Sequence, residues 1–168
     1  MTLSVDDSSG SALITAEHLA ELTDLTAFLY AQLRLRPQVE LSITLVDEAQ
    51  MEQLHLEWMG LPGPTDVMSF PMDQLTPGTL EEPVESGTLG DVVLCPAVAR
   101  HQAAAAGHSL SDELCLLLTH GLLHLLGFDH HDSVARAEMF DLQKRLLEGY
   151  LGREAPTPTE TDPDHSVR

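Results

Sequence analysis

Between positions 120 and 130 the chain reads His-Gly-Leu-Leu-His-Leu-Leu-Gly-Phe-Asp-His, which gathers three of its nine histidines into one short stretch. Side chains four apart share one face of an α-helix, so His120 and His124 can present their imidazoles to a single point. Gly127 falls where such a helix needs a residue that tolerates positive φ in order to stop, and the turn it makes can bring His130 back toward the other two. Three nitrogen donors then converge. Neutral imidazole suits zinc at about 2.0–2.1 Å, and three protein ligands leave a fourth tetrahedral position for water. The spacing therefore predicts one Zn2+ ion held by His120, His124 and His130. Leu122, Leu123, Leu125 and Leu126 read as core residues that surround the ligands with a low-dielectric wall.

The same spacing occurs in metzincin peptidases, where a glutamate follows the first histidine and serves as general base. Here that position is Gly121. Glycine accepts no proton, so peptide hydrolysis is disfavoured. Asp129, next to a predicted ligand, is the candidate catalytic carboxylate; it can orient or deprotonate a water, or simply stabilise the turn.

At 168 residues the chain can bury a substantial core. A single domain over 1–151 is expected, followed by a disordered tail over 152–168 that is rich in proline, threonine and acid. No apolar run is long enough for a membrane span and no leader pattern opens the sequence, so a cytoplasmic protein without a membrane partner is expected. Cys95 and Cys115 sit in apolar segments and read as buried small hydrophobes. With 27 acidic and 8 basic residues the formal net charge is −19. That favours solubility and opposes approach to a polyanion.

Along the chain, Leu3 to Val5 is a short candidate strand. Thr15 to Leu33 carries leucines at helical spacing with Thr15 as cap, and Arg34 and Arg36 follow at its C-terminal end. Val39 to Leu45 alternates as a half-buried strand. Asp47, with Gln50 three residues on, opens a helix to about Met59, in which His55 reads as a surface or satisfied core residue. Residues 60–64 form a loop before the apolar segment Val67 to Phe70, and Asp73 to Ser86 reads as a long exposed connection. Thr88 to Cys95 is apolar enough for a central strand, and Pro96 begins a helix that Gly107 ends. Ser109 or Ser111 caps the helix carrying His120 and His124, and Asp132 or Ser133 starts a last helix to about Tyr150. These elements give an α+β fold: a small mixed β-sheet covered by helices, with a central buried helix bearing the metal ligands.

The histidine stretch, together with Pro64-Thr65-Asp66-Val67-Met68-Ser69-Phe70-Pro71 and Leu89-Gly90-Asp91-Val92-Val93-Leu94-Cys95 in that order, resembles the motifs of the YbeY family of bacterial rRNA maturation factors. The resemblance covers about residues 1–150. It implies a zinc-dependent, single-strand-specific endoribonuclease acting on rRNA. The implied roles are 16S 3′-end processing, ribosome maturation and quality control. The implied partners are rRNA and the small ribosomal subunit, through a ribosomal protein, and not DNA. Thr65, Asp66 and Ser69 are candidate substrate-lining residues, with loop capping as the alternative. The family typically carries an arginine, thought to contact phosphate, where this chain has Met59. Methionine binds no phosphate, so Arg34, Arg36 or Arg100 has to take over, or substrate handling differs. Two other readings are a noncatalytic assembly factor with a structural metal, and a metal-dependent hydrolase of another substrate, such as an atypical peptidase.

Overall fold

Alternation of residues along the strands decides which helices each face of the sheet collects. The structure is a computed structural model that describes residues 2–158. Strands β1 (Leu3–Asp7), β2 (Glu40–Leu45), β3 (Val67–Pro71) and β4 (Thr88–Leu94) form one sheet in the order β1-β2-β4-β3. β2 runs parallel to both β1 and β4, whereas β3 is antiparallel to β4 and forms an edge. Leu41, Ile43, Leu45, Val67, Val92 and Leu94 point to one face and join the larger apolar cluster. Met68, Val93 and Cys95, shifted by one residue, point to the other face and pack with Val46 and Met51.

Five helices cover this sheet among the described residues: α1 (Ala16–Gln32), α2 (Glu48–Met59), α3 (Pro96–Ala106), α4 (Leu110–Leu125) and α5 (Ser133–Leu151). α4 is the centre, with every residue from Glu113 to Leu125 buried. Such all-round burial follows from its leucines, which wrap the helix and are met by α1, α3, α5 and the sheet. Leu118 and Leu122 are completely buried, and truncating either to alanine costs about 2–5 kcal/mol.

Thr15 and Asp47 both close capping boxes, with His18 and Gln50 respectively. Ser109 and Asp132, rather than their alternatives Ser111 and Ser133, cap α4 and α5. β1 extends to Asp7, beyond the expected Val5, because Asp6 and Asp7 pair with Thr44 and Leu45 in the parallel ladder. The connection over 73–86 is less exposed than its composition suggests. Leu35 bridges to Val84, Gly78 N–H donates to the Leu33 carbonyl, and Leu75 and Val84 pack on the core.

Among the described residues the chain forms no further helix or strand after Gly152. Arg153 nevertheless donates to Asp112 Oδ1 at 2.7 Å, Ala155 packs against the core and Pro156 is buried, so this part of the expected tail lies on the body. The rest of the expected tail, 159–168, lies outside the described residues. No helix among the described residues is long and apolar enough to cross a membrane.

Candidate metal centre

The last turns of α4 and the loop after it build the site. Beyond Leu126, Gly127 takes φ +94°, its N–H donates to the His124 carbonyl at 3.0 Å, and Phe128 N–H reaches back to the Leu123 carbonyl at 3.1 Å. That pair of bonds is a Schellman stop, which reverses the chain directly after the helix. Asp129 Oδ1 then accepts from His131 N–H at 3.2 Å, and Asp132 Oδ1 caps α5 through Val134 and Ala135 N–H. The resulting loop returns His130 to the helix.

The three rings form a triangle. Centroids of His120 and His124 lie 4.6 Å apart, those of His120 and His130 5.5 Å, and those of His124 and His130 5.3 Å. One ring nitrogen from each lies within 4.8 Å of the other two. His120 and His124 are buried and His130 is half-buried.

The donor chemistry fits a cation. His120 Nδ1 lies 2.8 Å from Gln143 Oε1. An amide oxygen only accepts, so Nδ1 carries the proton and Nε2 keeps its lone pair. That Nε2 faces His124 Nε2 at 3.1 Å. Two nitrogens about 2.0–2.1 Å from a shared tetrahedral ion lie roughly 3.3–3.4 Å apart, close to this separation. Lone pairs so close repel unless a proton or cation lies between them. Metal-ligating histidines usually have such an outer hydrogen-bond partner, and Gln143 stands in that position to His120.

Gly121, one residue round the helix from His120, faces the sheet. A Cβ there would lie 3.0 Å from Val92 Cγ1, 3.1 Å from Ser69 Oγ and 3.2 Å from Val67 Cγ2. The position that holds the base in metzincins is therefore taken up by helix–sheet contact, with no room for a glutamate. Ser69 Oγ donates to the Gly121 carbonyl at 2.9 Å, and Asp66 Oδ1 accepts from Val67 N–H at 2.8 Å and from Thr65 Oγ1 at 3.3 Å. Thr65, Asp66 and Ser69 are all buried, and these bonds are of the internal, loop-holding kind.

Asp129 is half-buried and lines a cavity of about 330 Å³ with Thr76, Pro77, Phe128 and Glu138. Arg34 and Arg36 border a different cavity with Tyr30 and Leu80, and Arg100 lies at a third with Glu48 and His101. Met59 packs against the smaller apolar cluster. His55 is buried, and its Nδ1 lies 2.8 Å from the Gly63 carbonyl, fixing the loop before β3. Burial pushes the Cys95 and Cys115 thiols up, away from reactive thiolate character.

Two residues that sequence reasoning missed stand at the site, both on α5. Gln143 is one. Arg136 is the other: its Cζ lies 4.9 Å over the Phe140 ring, whose centroid is 5.8 Å from those of His120 and His130. The spacing 136, 140, 143 marks one helix face, but only the tertiary fold shows that this face meets the histidines.

A mixed sheet crossed by a buried helix, with three imidazoles converging at its end, defines an α+β protein with a histidine cluster that could hold a metal ion. A family model described as endoribonuclease YbeY matches residues 5–151, and the chain belongs to that family. A Renibacterium salmoninarum protein named endoribonuclease YbeY is 55% identical over 159 residues, covering 95% of this chain and 99% of its own. A Micrococcus luteus protein of the same name is 59% identical over 141 residues, covering 84% of this chain and 89% of its own. The fold is also similar to the solution structure of a Thermotoga maritima protein, with TM-score 0.61, 23% identity and 89% coverage of each chain.

Proposed function

We propose that this chain is a zinc-dependent endoribonuclease that cleaves single-stranded rRNA, with the 3′ end of 16S rRNA as substrate during maturation and quality control of the small ribosomal subunit in the cytoplasm. The observation that carries this reading is the pair of Nε2 atoms of His120 and His124 at 3.1 Å, with the His120 tautomer set by Gln143. His120, His124 and His130 hold the ion. Bound zinc supplies Lewis acidity for phosphodiester hydrolysis. Asp129 takes the proton from the attacking water, while Thr65, Asp66 and Ser69 position the strand and loop that border the substrate. Arg136 brings positive charge to a chain otherwise dominated by acid, which offsets repulsion of the scissile phosphate.

Names of the relatives support RNA as substrate, and the filled position at Gly121 speaks against a peptidase. The test combines metal analysis of freshly purified protein with cleavage of an unstructured RNA. His120→Ala should lose bound zinc and cleavage together; undiminished cleavage by the metal-free variant would reject the proposal. Asp129→Asn should keep the metal and lose cleavage. The acidic surface also suits a noncatalytic assembly factor that docks a ribosomal protein. That reading predicts cosedimentation with small subunits and no RNA cleavage by the zinc-loaded chain.

A further inference from the structure

Arg34 takes φ +58°, a left-handed backbone conformation that favours glycine. It stands just past the end of α1, where Leu35 N–H reaches the Tyr30 carbonyl at 2.8 Å and Arg34 N–H reaches that of Ala31 at 3.4 Å. This is a Schellman stop with arginine in the place that usually goes to glycine. Capping does not explain the choice. The Tyr30 and Ala31 carbonyls are taken by those two bonds, and the Leu33 carbonyl accepts from Gly78 N–H, so the helix end draws on backbone donors rather than on a guanidinium.

Arg36 follows two residues on, its N–H and the Arg34 carbonyl both bonded to Val84 at 2.9 Å. Leu35 between them is buried, while both arginines are exposed. The pair lines one cavity of about 430 Å³ whose wall is otherwise largely apolar, with Ala27, Ala31, Leu35, Pro37, Leu80 and Pro83. Leu80, 73% exposed, adds an uncovered apolar side chain to this wall. No carboxylate lines the cavity in a chain with 27 acidic residues, whereas the cavities at Asp129 and at Arg100 each contain at least one. Glu85 Oε2 lies 3.7 Å from Arg36 Nε, a contact between two mostly exposed side chains that water and salt weaken. Arg34 forms no ion pair among the described residues.

Apolar walls with a few convergent polar groups are the usual build of a small-molecule site. Two guanidiniums select the anion. Each planar fork suits phosphate oxygens, and a phosphate monoester, at about −1.5 to −2 near neutral pH, balances both where a carboxylate balances one. We propose that the cavity of Arg34 and Arg36 binds a phosphate monoester joined to an apolar or aromatic body, as a nucleotide presents it. The source is a free mononucleotide or the terminal phosphate of an RNA strand. This site is separate from the histidine cluster and does not depend on the endoribonuclease reading.

The test titrates adenosine 5′-monophosphate into the full chain by calorimetry. One molecule is expected per chain, with adenosine and inorganic phosphate each binding at least roughly 10-fold more weakly. Arg34→Gly removes the guanidinium at a φ that glycine adopts freely. It should therefore unfold at no lower urea concentration than wild type, yet bind the nucleotide roughly 10-fold more weakly. Arg36→Ala should show the same loss of affinity, and His120→Ala should bind as wild type does. Loss of binding in His120→Ala with Arg34→Gly unaffected assigns the phosphate to the histidine site and overturns the proposal. So does adenosine or inorganic phosphate that binds as tightly as the nucleotide, or a chain that binds none of the three; each leaves the endoribonuclease reading standing. An oligoadenylate that displaces the nucleotide only when it carries a terminal phosphate supports an RNA end as the source. Displacement by neither form supports the free mononucleotide, and equal displacement by both overturns the choice of a monoester.

Discussion

Gln143, in the middle of α5, holds Nδ1 of His120, near the end of α4, at 2.8 Å. The bond sets both tautomer and ring orientation, so the Nε2 lone pair of His120 is aimed at His124, where the proposed ion would sit. Gln143→Leu removes the acceptor and should weaken zinc binding about 10- to 100-fold. Gln143→Glu keeps an acceptor and should retain affinity. Competition against a chromogenic chelator measures both, and equal affinity for all three chains would contradict a role for this bond.

What was legible beforehand depended on whether a signal was local. The histidine spacing, the Gly127 stop, the capping boxes and the alternation in β2 are each complete within a few residues. Gln143 and Arg136 were not readable, because nothing near them in sequence says that their side of α5 meets α4. The anchoring of residues 73–86 escaped for a related reason: backbone bonds such as that from Gly78 to Leu33 leave no mark on composition. For Thr65, Asp66 and Ser69 the motif marks the positions, while their burial and internal bonds appear only in the fold.

Gly121 should tolerate no larger residue. Its missing Cβ is replaced by the side chains of Val92, Ser69 and Val67 at 3.0–3.2 Å. Gly121→Ala forces β3 and β4 away from α4, and overpacking of this kind costs about 1–3 kcal/mol. Urea unfolding should show that loss. A Gly121→Ala chain as stable as wild type would mean that the helix–sheet spacing yields more easily than these distances suggest.

Arg136 should act on RNA and not on metal. Held over Phe140, whose ring centroid is 5.8 Å from those of His120 and His130, its guanidinium is not a possible ligand. Arg136→Ala should therefore leave zinc affinity unchanged, weaken binding of single-stranded RNA, and lower the salt slope by about 0.7, the value for one phosphate contact. Arg145, paired with Asp141 at 2.9 Å on the exposed side of the same helix, supplies a control of equal charge. Should Arg145→Ala change the slope as much as Arg136→Ala, net charge alone explains the effect.

A pH dependence is built into the opposite end of α4. Glu113 is completely buried, and its Oε1 meets His108 Nε2. Burial pushes its carboxyl pKa up and the charge of Asp66 adds to this, while the contact with His108 opposes it. In the unfolded chain the same group titrates near about 4.3. Between that value and the raised one, the folded state holds a proton that the unfolded state has lost. Stability from this group is therefore present at low pH and falls as pH rises through the window. Glu113→Gln keeps an oxygen acceptor for His108 but removes the titration. Urea unfolding across acidic to neutral pH should show wild type losing ground to Glu113→Gln as pH rises, then holding a constant difference above the window. A difference that is flat throughout would mean the carboxyl titrates alike in both states, and that His108 and the surrounding dipoles compensate its burial in full.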